Sequence, residues 1–198
     1  MVGTIDFNDG GAFGGWDIVN VPATSLPEEL ATAIGAINCE IVGATYIPIW
    51  YVGKQVVNGT NYYLVCKEVR ATKDHDTMIV GLIINIPAGD ITGKDASIVR
   101  IVEEADLTGE AEIAFKMATK SLMGVEYKPI IYIGSQVVKG KNYYYLCEAK
   151  VIYPGAEPYA VVLCVNGFQG QYTVVSVTPV PDSSENVSIL GAPLGEWP

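Results

Sequence analysis

Four cysteines and one histidine are the most reactive side chains in this 198-residue sequence. A cysteine nucleophile needs a histidine base within hydrogen-bond reach and donors for the oxyanion. His75 stands in the charged run Lys73-Asp74-His75-Asp76, and nothing in the sequence pairs it with Cys39, Cys66, Cys147 or Cys164. It reads more simply as a solvated turn residue, and the chain is expected not to be an enzyme. No Cys/His set has the close spacing of a zinc site, and Asp6, Asn8 and Asp9 lack the rest of a calcium loop. The run Gly10-Gly11-Ala12-Phe13-Gly14-Gly15 has no strand–turn–helix unit around it to make a dinucleotide loop. Neither cofactor nor metal is expected. Asn58-Gly59-Thr60 and Asn186-Val187-Ser188 fit the glycosylation sequon, which matters only in a secreted protein.

Binding by a rigid protrusion has a stronger signal. Gln55-Val56-Val57-Asn58-Gly59-Thr60-Asn61-Tyr62-Tyr63 recurs 81 residues on as Gln136-Val137-Val138-Lys139-Gly140-Lys141-Asn142-Tyr143-Tyr144. From Gly43 to Cys66, 14 of 24 positions are identical at that offset, including Tyr46/Tyr127, Pro48/Pro129, Gly53/Gly134 and Cys66/Cys147. A unit of this length approaches a small domain, so the chain reads as a tandem duplication. Asn58-Gly59 is a tight-hairpin signal, because both residue types tolerate positive φ. Such a hairpin is ordered before it binds, and little entropy is lost on docking. Val56 and Val57 offer apolar contact, Gly59 permits the turn, and Gln55 can hydrogen-bond at the rim of a partner's cleft. Against this, Asn-Gly also closes hairpins that bind nothing, and Tyr62 and Tyr63 have a purely structural role open to them against a helix.

These hairpins need a scaffold. Residues 1–16 are rich in Gly and Asp without an apolar period and read as an arm. Asp17 to Val21 alternates as a short strand. Ser25-Leu26-Pro27-Glu28 has the form of a capping box, with Pro27 in the first helical turn. Leu30, Ala33, Ile34 and Ile37 follow at helical spacing. Strands are expected over Tyr46–Val57, Asn61–Val69, Met78–Ile86 and Ser97–Val102. The second copy repeats the plan, with helix residues Ala111, Ala114, Phe115 and Ala118. Its strands are expected over Tyr127–Val138, Asn142–Val151, Tyr159–Val165 and Tyr172–Val177. The fold class is therefore α+β, each copy one helix across a curved antiparallel sheet. The domains run 14–104, with the arm over 1–16, and 105–180, followed by a Pro/Ser/Gly-rich tail at 181–198 that reads as a strap or disordered segment. All four cysteines are expected to be free and buried, with Cys147–Cys164 the one plausible bridge.

With 49% apolar residues and 17% charged, each half can bury a core without crosslinks. Net charge is −10 and pI near 4.5, which disfavours nucleic acid and anionic membrane surfaces and would speed encounter only with a basic partner. No apolar run is long enough to span a bilayer. The opening Met1-Val2-Gly3-Thr4 lacks a basic segment followed by an apolar one, so the expectation is a cytoplasmic protein, or a secreted one if a signal segment has been removed.

The motif Gln-x-Val-x-Gly followed by Asn-Tyr-Tyr resembles the first binding hairpin of the cystatins, inhibitors of papain-like cysteine proteases. Gly14-Gly15-Trp16, the run Pro22 to Glu28, Gln55 to Tyr63 and Ile86-Pro87-Ala88-Gly89 follow in the order found in stefins, the intracellular cystatins without disulfides. The resemblance covers about residues 14 to 102. It implies two tandem cystatin-like domains and a three-part wedge in the first. Gly14, Gly15 and Trp16 would form the arm in the non-primed subsites. Gln55, Val56, Val57, Asn58 and Gly59 would sit beside the catalytic cysteine, and Pro87, Ala88 and Gly89 on the primed side. The implied function is reversible, tight-binding inhibition of a papain-like cysteine protease. The second copy keeps Gln136, Val137, Val138, Lys139 and Gly140 as a possible second site. It lacks the Gly-Gly arm, carries lysines at its turn, and has the shorter Asn166-Gly167-Phe168-Gln169-Gly170-Gln171 where the first copy has its Pro loop. The alternative is a non-inhibitory cystatin-like interaction or structural module.

Overall fold

The computed structural model describes residues 15–73, 76–103, 107 and 109–181. His75, residues 1–14 of the Gly-rich arm (Gly14 among them) and the C-terminal sequon lie outside them. The chain is α+β, with two antiparallel sheets and two α-helices among the described residues, and it divides into two compact units between Glu103 and Glu104.

The first unit runs β1 (Asp17–Pro22), a 3-10 turn (Ala23–Ser25), α1 (Glu28–Glu40), β2 (Ala44–Val57), β3 (Gly59–Arg70), β4 (Thr77–Ile86) and β5 (Ser97–Val102). Its five strands pair in sequence order. The second unit runs α2 (Gly109–Thr119), β6 (Val125–Val138), β7 (Gly140–Val151), β8 (Tyr159–Phe168) and β9 (Gln171–Pro179), again paired in order. Among the described residues its sheet has no counterpart of β1.

The helical stripe is buried as its period predicts. Leu30, Ala33, Ile34 and Ile37 pack on alternate residues of the sheet, among them Tyr62, Leu64 and Cys66 of β3 and Leu82 and Ile84 of β4. Alternation puts one face of β3 under the helix, and its odd-numbered neighbours Tyr63 and Val65 on the other face are also buried. At +81 the helix residues become Ala111, Ala114, Phe115 and Ala118, and the β3 residues become Tyr143, Tyr145 and Cys147. Leu30 over Leu64 is replaced by Ala111 over Tyr145: the helix gives up volume that the strand takes back, which preserves close packing. The enlarged Tyr145 then needs a partner for its hydroxyl, and donates to the Ala111 carbonyl at 2.7 Å.

Register repeats as closely as packing. Val57 faces Gly59 and Thr60 faces Ile86 in the first unit; Val138 faces Gly140 and Lys141 faces Gly167 in the second. The bulges of β2, at Pro48/Trp50 and Tyr51/Gly53, recur at Pro129/Ile131 and Tyr132/Gly134.

Several local expectations are corrected. Ser25 makes no capping box; it lies in the 3-10 turn, and Pro27 is the N-cap, its carbonyl accepting from Leu30 and Ala31. Carboxylates Glu28 and Glu29 in the first turn complement the helix dipole instead. Asn166 to Phe168 and Gln171 belong to strands, leaving a two-residue turn at Gln169-Gly170. Both turn residues have positive φ (50° and 76°), the geometry expected of Asn58-Gly59, where Gly59 alone adopts it (98°). All four cysteines are free, but Cys39 is exposed, because its helical position falls off the buried stripe. Cys147 pairs with Val161 and Cys164 with Tyr144, so the two are not cross-strand neighbours and the plausible bridge is absent. Burial pushes the Cys66 and Cys147 thiols up, and the Cys164 thiol to about 11, all away from the reactive thiolate.

Candidate functional site

Three registers bring the sequence-predicted residues of the first unit, Gly14 apart, to one end of its sheet. Asp17 pairs with Lys54, so β1 begins, and Gly15 and Trp16 precede it, at the end where β2 reaches its tip. Val57 pairs with Gly59 across Asn58, the tip itself. Thr60 pairs with Ile86, which places Pro87, Ala88 and Gly89 beside that tip. The order across the sheet is thus the base of the arm (Gly15 and Trp16), the first hairpin and the second loop. Val56 is 64% exposed and Val57 41%, an apolar crest with few structural duties of its own. Trp16 is half-buried and turned onto Tyr63, ring centres 5.9 Å apart, so it anchors the base of the arm.

Gln55 has a different setting from the one its motif implies. Its Oε1 accepts from Asn61 Nδ2 (3.3 Å), and Asn61 Oδ1 accepts from Asn85 Nδ2 (2.8 Å). This cross-strand chain ties both hairpins together just below their tips. The second unit repeats the inner link, Asn166 to Asn142 at 2.8 Å, and Asn166 also donates to the Lys139 carbonyl (3.3 Å). Sequence reasoning missed Asn85 and Asn166; their recurrence at the repeat offset was the available signal.

The second loop, residues 87–96, is built as a rigid body. Asp90 N–H donates to the Pro87 carbonyl (3.1 Å), closing a turn in which Gly89 takes φ 93°. The Asp90 carboxylate then accepts from the amides of Thr92 (2.8 Å), Gly93 (2.9 Å) and Asp95 (2.9 Å) and from the Thr92 hydroxyl (2.7 Å). Gly93, at φ 78°, lies so close to the Glu29 carbonyl that a Cβ there would overlap it, and the loop is seated on the first turn of α1. The Asp95 amide foremost, with the Thr92 hydroxyl, holds the Asp90 carboxyl down at about 2, from an ordinary value of 3.8.

A folded pKa below the unfolded one means that this contribution is complete above about pH 4 and lost as pH falls through about 2. We expect the Gly93 and Asp95 amide resonances to titrate with a midpoint near pH 2, and Asp90→Ala to speed their hydrogen exchange roughly tenfold. Unchanged exchange would show that the loop is held by its backbone alone.

The possible second site is differently made. Val137 and Val138 are exposed like their counterparts (59% and 44%), but a two-residue turn replaces the long loop. The Lys139 ammonium lies 5.6 Å from the centre of the Phe168 ring, on the strand that continues to that turn.

No protein-family model and no curated protein matches the chain. Among solved structures, that of mouse fetuin-B is similar at 15% identity over 86% of this chain and 72% of that one, with a TM-score of 0.27. Agreement that loose carries neither fold nor function.

Proposed function

We propose that the chain is a tandem duplication of a cystatin-like unit and a reversible, tight-binding inhibitor of papain-like cysteine proteases, acting as a binding protein and not an enzyme. The first unit is the principal site. One observation carries this reading: the base of the arm (Gly15 and Trp16), the first hairpin and the second loop gather at one end of one sheet, in the order the resemblance to stefins implies. Rigidity supports it, since a crest fixed by the Asn85–Asn61–Gln55 chain and a loop fixed by Asp90 lose little entropy on entering a cleft. In the second unit the missing loop favours the non-inhibitory alternative, a module that binds or packs without blocking a protease.

The test is inhibition of papain by the full chain. Reversible inhibition below micromolar concentration is expected, and removal of residues 1–15 should weaken it about tenfold, mainly by raising the off-rate. Absence of inhibition at micromolar concentration would leave the interaction-module reading for both units.

A further inference from the structure

The two units hold a glutamate, a tyrosine and a hairpin residue at equivalent points and complete that place differently. In the second unit the Tyr143 hydroxyl donates to Glu110 Oε2 (3.3 Å), and the Lys141 ammonium lies 3.3 Å from the same oxygen. That ammonium is also 5.4 Å from the centre of the Tyr143 ring. In the first unit, 81 positions earlier, the Tyr62 hydroxyl donates to Glu29 Oε1 (3.5 Å), but the third position is Thr60, which brings no cation. Glu29, Thr60 and Tyr62 line an open groove of about 510 Å3 between the two hairpins, walled in part by Val57 and Ile91. Ile91 is 89% exposed although the loop that carries it is fixed through Asp90.

We infer that this groove receives a lysine or arginine side chain of a partner protein, with its cation on the Glu29 carboxylate and the Tyr62 ring and its aliphatic stem along Val57 and Ile91. The second unit supplies the precedent: the same helix turn, strand and register already accommodate an ammonium there, from Lys141. The partner's residue completes from outside what Lys141 completes from inside. A long basic side chain suits such a place because its stem is apolar and its head polar. The chain's net charge of −10 favours encounter with a basic surface. Partner identity rests on the function proposed above; the preference for a basic residue does not.

The probe is a pair of peptides, acetyl-Leu-Lys-Leu-amide and its neutral norleucine analogue, titrated into the full chain and followed by NMR at Glu29, Tyr62 and Ile91. An exposed carboxylate and a ring face each contribute modestly. We expect the lysine peptide to bind about tenfold more tightly, a difference of ~1.4 kcal/mol. Glu29→Gln should remove that preference, and Thr60→Lys should remove it by supplying the ammonium from within, with a shift of the Glu29 carboxylate signal that reports the new pair. No preference in the unaltered chain, or one that survives Glu29→Gln, overturns the inference. Papain inhibition by the same preparation is scored separately. Inhibition without a lysine preference keeps the proposed function and loses this site, and a preference without inhibition does the reverse.

Discussion

On the proposed function, Gly59→Val is expected to abolish protease inhibition while Gly140→Val leaves it intact, although the two substitutions should cost their units about equally in stability. Both glycines take positive φ, 98° and 90°. A Cβ on Gly59 would overlap the Ile86 carbonyl and come within 2.9 Å of Ala88 N and Pro87 Cα. One on Gly140 would overlap the Gly167 carbonyl and stand 3.0 Å from Phe168 Cβ. In each case the main obstacle is backbone, which cannot swing away as a side chain can. Strain at a β-branched residue and the forced separation together should cost ~3 kcal/mol in either unit by denaturant titration. The consequences for binding differ. Gly59 touches the second loop, so valine parts the two elements that the proposed function sends into one cleft, and inhibition of papain should on that reading fall about a hundredfold. Gly140 abuts a strand that ends in a two-residue turn, and inhibition should change by less than about twofold. Equal losses would mean that both units engage proteases.

The largest effect on stability is expected at Trp50. It is wholly buried, and its indole N–H donates to Asn20 Oδ1 at 2.8 Å, a residue held at φ 55° in β1. Trp50→Ala removes the largest apolar side chain of β2 and leaves an acceptor unmatched, and should cost ~3–5 kcal/mol. For a unit of this size that corresponds to a melting-point drop of roughly 20 °C. Trp50→Phe should retain most of the packing and lose ~1–2 kcal/mol, chiefly for the hydrogen bond. An alanine variant that melts within a degree or two of the parent would show that Trp50 does not hold β1 and β2 together.

How legible these features were depended on the range of the interaction. Leu30, Ala33, Ile34 and Ile37 could be read because a helix imposes its period on neighbouring residues. The long strands could be read for the same reason, as runs of β-branched and aromatic residues. Ser25 misled because a capping box and a 3-10 turn favour the same short polar residues, and Pro27 decided between them. The extent of β8 and β9 was hidden because Gln169 seldom adopts positive φ, so the tight turn carried no Asn-Gly mark. Cross-strand features were the least visible. The pairing of Asn61 with Asn85, or Glu110 with Lys141, is set by register and by a helix crossing a sheet, and no local pattern encodes either. Asp90 is an intermediate case: its acceptor role is local, but the seating of Gly93 on Glu29 joins residues far apart in the chain.

The coincidence of register between β2–β4 and β6–β8 also bears on how the chain reaches its folded state. With 14 of 24 positions shared across the first hairpin, a β2 strand presents to β7 nearly the same row of donors, acceptors and bulges that it presents to β3. Exchange between repeats is the characteristic misassembly of such chains. What separates the correct partner from the wrong one is contour length: β2 and β3 are joined across Asn58 alone, β6 and β7 across Lys139 alone. Hairpins closed over so short a connection form in microseconds, before distant strands can compete. The glycines that shape the two tips are therefore also sorting devices, which commit each strand to its own neighbour while the rest of the sheet is still unformed.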